Sequence, residues 1–237
     1  MIIMLVVLSI GGSILAKDLD PTTFAAYAEA LREISEEHGL VVITGGGVAA
    51  RKYINAARSI GANEVVCDFI GIDVTRLNAQ LLIAALGNAA YPEPPQTYKE
   101  AELAMASGKI VVMGGVIPGQ TTDAVSAVLA EYLNADLMVI ATSVDGVYTA
   151  DPMRDPNAKR FDVMTAKELL DVVISTEMKA GSRSPVDPLA AKIIERCNIE
   201  TIVMDGQDPA SITDVVQQEC IKTKPVAGVR LGTRIIR

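Results

Sequence analysis

Apolar runs rich in β-branched residues alternate along this chain with longer segments of helical spacing. The runs are Ile2 to Ser9, Leu40 to Thr44, Ile110 to Met113, Leu137 to Ala141 and Thr201 to Met204. They are nearly continuous instead of alternating, which predicts strands covered on both faces. Helices are predicted over Pro21 to Glu37, Asp68 to Leu86, Thr121 to Leu133, Thr165 to Met178, Asp187 to Cys197 and Pro209 to Gln218. The first has Asp20 as its cap and Pro21 in its opening position. The second carries Ile70, Val74, Leu77 and Leu81 at helical spacing. Such βα alternation predicts an α/β fold with a mainly parallel, doubly wound sheet. The tail Gly228 to Arg237 alternates Val229, Leu231, Thr233 and Ile235 against Arg230, Gly232 and Arg234, the pattern of a half-exposed edge strand. Tyr91 to Gln96 is proline-rich and reads as a surface loop. The opening MIIMLVVLSI lacks a basic flank and is too short to cross a bilayer, so a buried strand is expected there.

Composition narrows the chemistry. Half of the 237 residues are hydrophobic, ample for a large core, and there is one histidine. Ser-His-Asp hydrolysis spends a histidine on proton transfer and most zinc sites spend two or three, so His38 alone leaves little room for either. It ends the stretch Ser35-Glu36-Glu37-His38-Gly39, where a cation near a helix C-terminus is expected in a capping role. Lys+Arg number 21 against 29 Asp+Glu, a net charge of −8 without blocks of one sign. That balance argues against nucleic acid or an anionic membrane as partner. Cys67, Cys197 and Cys220 are far apart with no CxxC spacing, as expected of reduced thiols in a cytoplasmic protein.

In open parallel sheets, ligands bind beyond the carboxyl ends of the strands. Here those ends run into Gly11-Gly12-Ser13, Gly45-Gly46-Gly47, Gly114-Gly115 through Thr122, and Thr142-Ser143 through Tyr148. Glycine lets backbone N–H groups approach an anion, and a following helix N-terminus adds its positive end. Any one such loop is ordinary turn geometry; several on one edge suggest ligands rich in phosphate. Two familiar fingerprints are incomplete. Gly45-x-Gly47-x-x-Ala50 fits a dinucleotide loop but follows the second strand, and its acidic partner, Glu64 or Asp68, would have to end a strand that hardly shows. Gly114-x4-Gly119-Gln120-Thr121 has the spacing of a phosphate-binding P-loop with Gln120 in the place of lysine. Phosphoryl transfer suits several phosphate cradles without a histidine base, because it depends on positioning and charge neutralisation. A phosphate monoester acceptor, with a second pKa near 6, arrives already ionised.

At these residues the chain resembles the uridylate (UMP) kinases of the amino-acid kinase fold, most closely their archaeal-type branch. The resemblance rests on Ser9-Ile10-Gly11-Gly12-Ser13, Gly45-Gly46-Gly47 with Ala50-Arg51-Lys52-Tyr53, Asp68-Phe69-Ile70-Gly71, Pro118-Gly119-Gln120-Thr121-Thr122-Asp123, Val144-Asp145-Gly146-Val147-Tyr148 and Asp187-Pro188-Leu189-Ala190-Ala191-Lys192, in the family's order. The Val-Asp-Gly-Val-Tyr segment recurs in aspartokinases and marks only the fold; the Asp68 and Pro118 segments together are more specific. The resemblance implies a three-layer α/β/α sandwich, one domain over residues 1–237, and transfer of phosphate from ATP to UMP with Mg²⁺. It implies that Gly12, Ser13, Gly47 and Arg51 hold ATP phosphates, while Thr142, Ser143, Tyr148 and Asp151 line the nucleoside end. Gly46, Asp68 and the loop of Val116, Ile117, Pro118, Gly119, Gln120, Thr121 and Thr122 would hold UMP, with Asp68 on the ribose hydroxyls. Asp123, Arg51 and Lys159 would act on the transferred phosphoryl, with Mg²⁺ bound mainly through the nucleotides. On local chemistry alone, Asp123 is equally a first-turn acid, Tyr148 a packed aromatic and Asp151 a turn residue before Pro152.

Many members of the family place a lysine where Ser9 stands; some archaeal-type members lack it. Its absence shifts the burden toward Mg²⁺, Arg51 and a lysine such as Lys17 or Lys159. The resemblance also implies a homohexamer built from dimers through the helix beginning near Asp68, and feedback by UTP. Two rivals remain at this level: a nucleotide- or oxyanion-storage protein on the same fold, and another small-acid kinase of the superfamily, which would have no use for Asp68 as a ribose ligand.

Overall fold

The computed structural model describes residues 3–152, 155–177, 185–221 and 232–236. Its frame is a seven-stranded sheet in the order β3-β2-β1-β4-β6-β7-β5. The strands are β1 (Leu5–Ile10), β2 (Gly39–Thr44), β3 (Val111–Met113), β4 (Leu137–Thr142), β5 (Val163–Thr165), β6 (Thr201–Asp205) and β7 (Thr233–Ile236). All pairings are parallel except β6 with β7. The first strand lies between β2 and β4, so chain order reverses there, the point at which an open α/β sheet forms its ligand crevice. Register brings Ile10 beside both Thr44 and Ala141, aligning three strand ends along one edge.

The helices are α1 (Gly12–Leu15), α2 (Pro21–Ser35), α3 (Gly47–Ser59), α4 (Glu64–Leu86), α5 (Tyr98–Met105), α6 (Thr122–Tyr132), α7 (Ala166–Glu177), α8 (Pro188–Cys197) and α9 (Pro209–Ile221). They cover both faces of the sheet, and strand periodicity sorts the core accordingly. Val6, Leu8 and Ile10 face one core with α2, α4 and α9, whereas Val7 faces the other with α6 and α8. Each fully buried Leu, Ile or Val contributes about 1.5–3 kcal/mol, so these two cores dominate stability. Odd-numbered Ser9 therefore points toward α6, although it is a polar residue only 1% exposed.

Local chemistry sets the helix ends. Asp20 accepts from Thr22 N at 2.9 Å ahead of Pro21, as its sequence predicts. Asn63 accepts from Val66 N, and this cap starts α4 at Glu64, a turn before the expected Asp68. Glu64 thus opens a helix and ends no strand, which removes the dinucleotide pattern. Arg32 of α2 donates to Ala85 O at 2.6 Å and ties the far end of α4 to the layer beside it.

Two expectations change. The tail strand is internal: β7 lies between β6 and β5, with Thr233 and Ile235 fully buried, while Val229 to Leu231 fall outside the described residues. Short β5 takes the edge instead. His38 does not cap as a cation. It is 4% exposed, its Nδ1 has no hydrogen-bond partner, and burial lowers its pKa despite opposition from Glu37, so the ring is neutral. The three cysteines are free thiols, as expected.

Thr233 Oγ1 accepts from Val147 N at 2.8 Å and donates to Phe161 O at 2.6 Å, fastening β7 to the segment after β4. Thr233→Val keeps the shape and strands both groups, so we expect a loss of about 1–3 kcal/mol in urea unfolding.

Candidate active site

The carboxyl edge of β1, β2, β3 and β4 gathers most of the residues that the motifs single out. Beyond β1, Gly11 N donates to Ala141 O at 2.9 Å, which sets Gly11 beside Thr142 at the end of β4. Beyond β2, the backbone of Gly45–Gly47 lies directly against Gly12. A Cβ on Gly12 would stand 2.2 Å from Gly47 N and 2.5 Å from Gly45 O, so no side chain fits. Gly47 has φ +63, a left-handed turn into α3 that suits glycine. The result is one continuous backbone surface from Gly11 to Gly47, with Ser13 on its rim. Arg51 projects from the first turns of α3, exposed, and pairs with no carboxylate among the described residues.

The loop from Gly114 to Thr121 forms the facing wall. Asp68 Oδ2 accepts from Gly119 N at 2.9 Å, holding the loop tip and leaving its second oxygen for other donors. Gln120 Oε1 accepts from Tyr98 OH at 2.9 Å, so the residue in the lysine position of a P-loop serves to fix the loop. Thr121 caps α6 by accepting from Ala124 N, and its hydroxyl donates to Asp187 Oδ2 at 2.5 Å. Asp187 Oδ1 in turn accepts from Leu189 N and Ala190 N at the start of α8.

Asp123 stands in the first turn of α6, and Ser9 Oγ donates to its Oδ1 at 2.7 Å. Burial pushes the Asp123 pKa up to about 6; the Ser9 hydrogen bond pulls it down, and the Asp187 charge pushes it up again. At the position of Ser9, where the resemblance leads one to expect a lysine, this chain therefore has a hydroxyl bound to a carboxylate that pairs with no side-chain cation among the described residues. No cluster of three His, Cys, Asp or Glu side chains able to hold a metal occurs among the described residues. The donor set here is hard oxygen, which suits Mg²⁺ held mostly by phosphates.

The fourth strand end is braced differently. Phe161 N donates to Val147 O at 2.9 Å and Thr149 N to Lys159 O at 2.9 Å, forming a two-stranded ribbon. Tyr148 OH donates to Asp145 Oδ1 at 2.7 Å, and Arg160 Nη1 donates to Asp145 O at 3.0 Å. Asp151 O accepts from Asp155 N at the ribbon tip. Ser143 is exposed beyond β4, and so is Lys159, whose side chain pairs with no described residue. The structure thus joins Gly12, Ser13, Gly46, Gly47, Asp68, Asp123 and residues 116–122 in one cleft. It sets Thr142 at the margin and carries Tyr148, Asp151 and Lys159 on the neighbouring ribbon, with no hydrogen bond from Lys159 to the glycine loops.

Sequence reasoning missed three supports. Arg160 hides behind the Val-Asp-Gly-Val-Tyr motif, and Asp187 reads as an ordinary helix cap before Pro188. Asn78 is the one with a usable signal, a polar residue in the buried stripe Val74, Thr75, Asn78, Ala79, Leu82 of α4.

An acid whose native pKa lies above its ordinary 3.8 binds its proton more tightly folded than unfolded. Its ionisation then costs stability as pH rises from about 4 to about 6, with the loss complete above. Asp123→Asn removes that loss. The variant should melt higher than the parent at pH 8 and show no such advantage at pH 4.

Comparison with known proteins identifies the family. The model of the amino acid kinase family matches residues 4–205. A protein named uridylate kinase from Methanococcoides burtonii is 77% identical over 233 residues, 98% of this chain and all of that one. Another from Methanosarcina mazei is 61% identical over 94% of this chain and 96% of its own. The crystal structure of uridylate kinase from Archaeoglobus fulgidus superposes with a TM-score of 0.83 at 40% identity, covering 98% of this chain and 99% of its own. With a family match over most of its length and the phosphate loops in the family's order, this chain belongs to the amino acid kinase family.

Proposed function

We propose that this chain phosphorylates UMP to UDP with ATP, as an Mg²⁺-dependent nucleoside monophosphate kinase of pyrimidine biosynthesis. The observation that carries the reading is the pair of opposed walls: the fused Gly11–Gly47 backbone surface on one side and the Asp68-held loop on the other. Similarity to uridylate kinases over nearly the full length supports the substrate. Gly12, Ser13 and Gly47 bind the ATP phosphates through backbone N–H groups, with the Arg51 guanidinium beside the reacting groups. Thr142, Ser143, Tyr148 and Asp151 line the nucleoside end of ATP. Gly46, Asp68 and residues 116–122 hold UMP, with the free oxygen of Asp68 toward the ribose hydroxyls.

A UMP phosphate oxygen attacks the γ-phosphorus in line, the bond to the β–γ bridging oxygen breaks, and ADP leaves. The nucleophile is ionised at neutral pH, so no side-chain base is required and His38 plays no part. Mg²⁺ when bound neutralises phosphate charge. Asp123, fixed by Ser9, orients cationic groups around the transferred phosphoryl, and Lys159 reaches the ATP phosphates from the ribbon.

We read residues 1–237 as one cytoplasmic domain that assembles as a homohexamer of dimers and responds to UTP, with neither nucleic acid nor membrane as partner. The apolar length of α4 supports the dimer. Glu64–Ala89 is long and apolar enough to cross a membrane by composition, yet α4 packs on the sheet and bears Asp68 and Arg76. Its outward residues Val66, Phe69, Leu77 and Leu81 remain 44 to 56% exposed, a stripe that a second copy would cover.

Purified protein with Mg-ATP should phosphorylate UMP in preference to CMP, AMP, carbamate, aspartate and acetylglutamate; preference for any of the others overturns the assignment. Asp123→Asn should keep nucleotide binding and lose most turnover. The acid limb of kcat should fall near pH 6, where both Asp123 and the UMP phosphate titrate. Ser9→Ala separates them: loss of its hydrogen bond raises the Asp123 pKa and moves the limb to higher pH, whereas a limb set by the substrate stays in place.

A further inference from the structure

The glycine loops are held from behind by a pair of buried polar side chains on α4. Asn78 is 2% exposed and its Nδ2 donates to Gly45 O at 2.8 Å. Thr75 is 7% exposed; its Oγ1 accepts from Gly115 N at 2.7 Å and donates to Ile72 O at 2.6 Å. The Thr75 carbonyl accepts from Thr44 Oγ1 at 2.8 Å, so the end of β2 is tied to the same turn of helix. Arg76 adds a bond to Gly115 O. Gly114 fits closely over Thr75: a Cβ there would stand 2.5 Å from Oγ1.

We infer that Asn78 and Thr75 are positioning residues that set the gap between the donor-phosphate loop and the acceptor loop. The β2–β3 ladder ends at Ile43 and Met113, and the two glycine loops begin just beyond it. Gly45 O and Gly115 N face the helix there. One turn of α4 binds both, one through a donor and one through an acceptor, so neither loop moves without the other. An apolar pair would fill the same volume but would fix neither backbone group. Gly12 rests on Gly45–Gly47, so the Asn78 bond also locates the loop after β1.

This inference rests on the assignment of the two loops to ATP and UMP, and its test separates the two. In Thr75→Val and Asn78→Leu the shape stays and the bond goes. Binding of Mg-ATP alone and of UMP alone, measured by calorimetry, should change by less than about threefold, while kcat falls at least about tenfold, because a misplacement of about 1 Å can cost up to a hundredfold. Thr75→Ser, which restores the hydroxyl, should return kcat to within about twofold of the parent. Asn78→Ser, small enough to admit a water beside Gly45 O, carries the test should Asn78→Leu not fold. Unchanged kcat in folded variants, a kcat loss matched by equal losses in both affinities, or a Thr75→Ser as impaired as Thr75→Val would each overturn the positioning role. The loop assignment fails separately, if Arg51→Ala and Asp68→Ala leave the KM for ATP and for UMP unchanged.

Discussion

The contact of Gly12 with Gly45–Gly47 is the constraint on which the rest of the cleft depends. Two turns from adjacent parallel strands meet with backbone against backbone, closer than any Cβ allows. Adjacent strands put them side by side, and the absence of side chains lets their N–H groups line one surface. Everything else in the site is placed relative to that surface: the facing loop through Asp68 and Thr75, and Asp123 through Ser9 on the strand that feeds the first turn.

Electrostatics follow from the same choice. A chain of net charge −8 that handles polyanions must supply positive potential locally. Backbone amides and helix ends can do this without side-chain charge, and Arg51 pairs with no carboxylate among the described residues. Ser9 fits the scheme. It offers Asp123 one hydrogen bond and no charge, which only partly offsets the burial that holds the carboxyl pKa near 6.

Much of this was legible in the sequence, and the exceptions have physical causes. The continuous apolar strands β1, β2, β4 and β6 read correctly because both faces are buried, and the cap Asp20 stands where local chemistry puts it, while Thr121 and Asp187, expected as first helical residues, prove to be caps. Helix α3 was missed because only Ala50 and Ala57 of it are buried, too few for a stripe. Short β5 was missed for lack of length, and β7 passed for an edge because β5, its outer neighbour, was invisible. His38 looked like a surface cap from its acidic neighbours, whereas tertiary packing buries it. The glycine loops were readable as turns at the carboxyl ends of the strands, but the Asn78 and Arg160 braces act across 33 and 15 residues, distances at which sequence alone carries no pairing information.

The place of β7 has a consequence for the order of folding. Among the described residues β5 reaches the sheet only through β7, and Thr233 bridges 86 residues to Val147 and 72 to Phe161. The strands β3, β2, β1, β4 and β6 can pair before residues 233–236 leave the ribosome, but the ribbon with Tyr148 and Lys159 has no completed support until they do. Closing such distant contacts is entropically slow. The half of the cleft assigned to the acceptor is thus built early in synthesis, and the half assigned to the donor nucleoside is finished last.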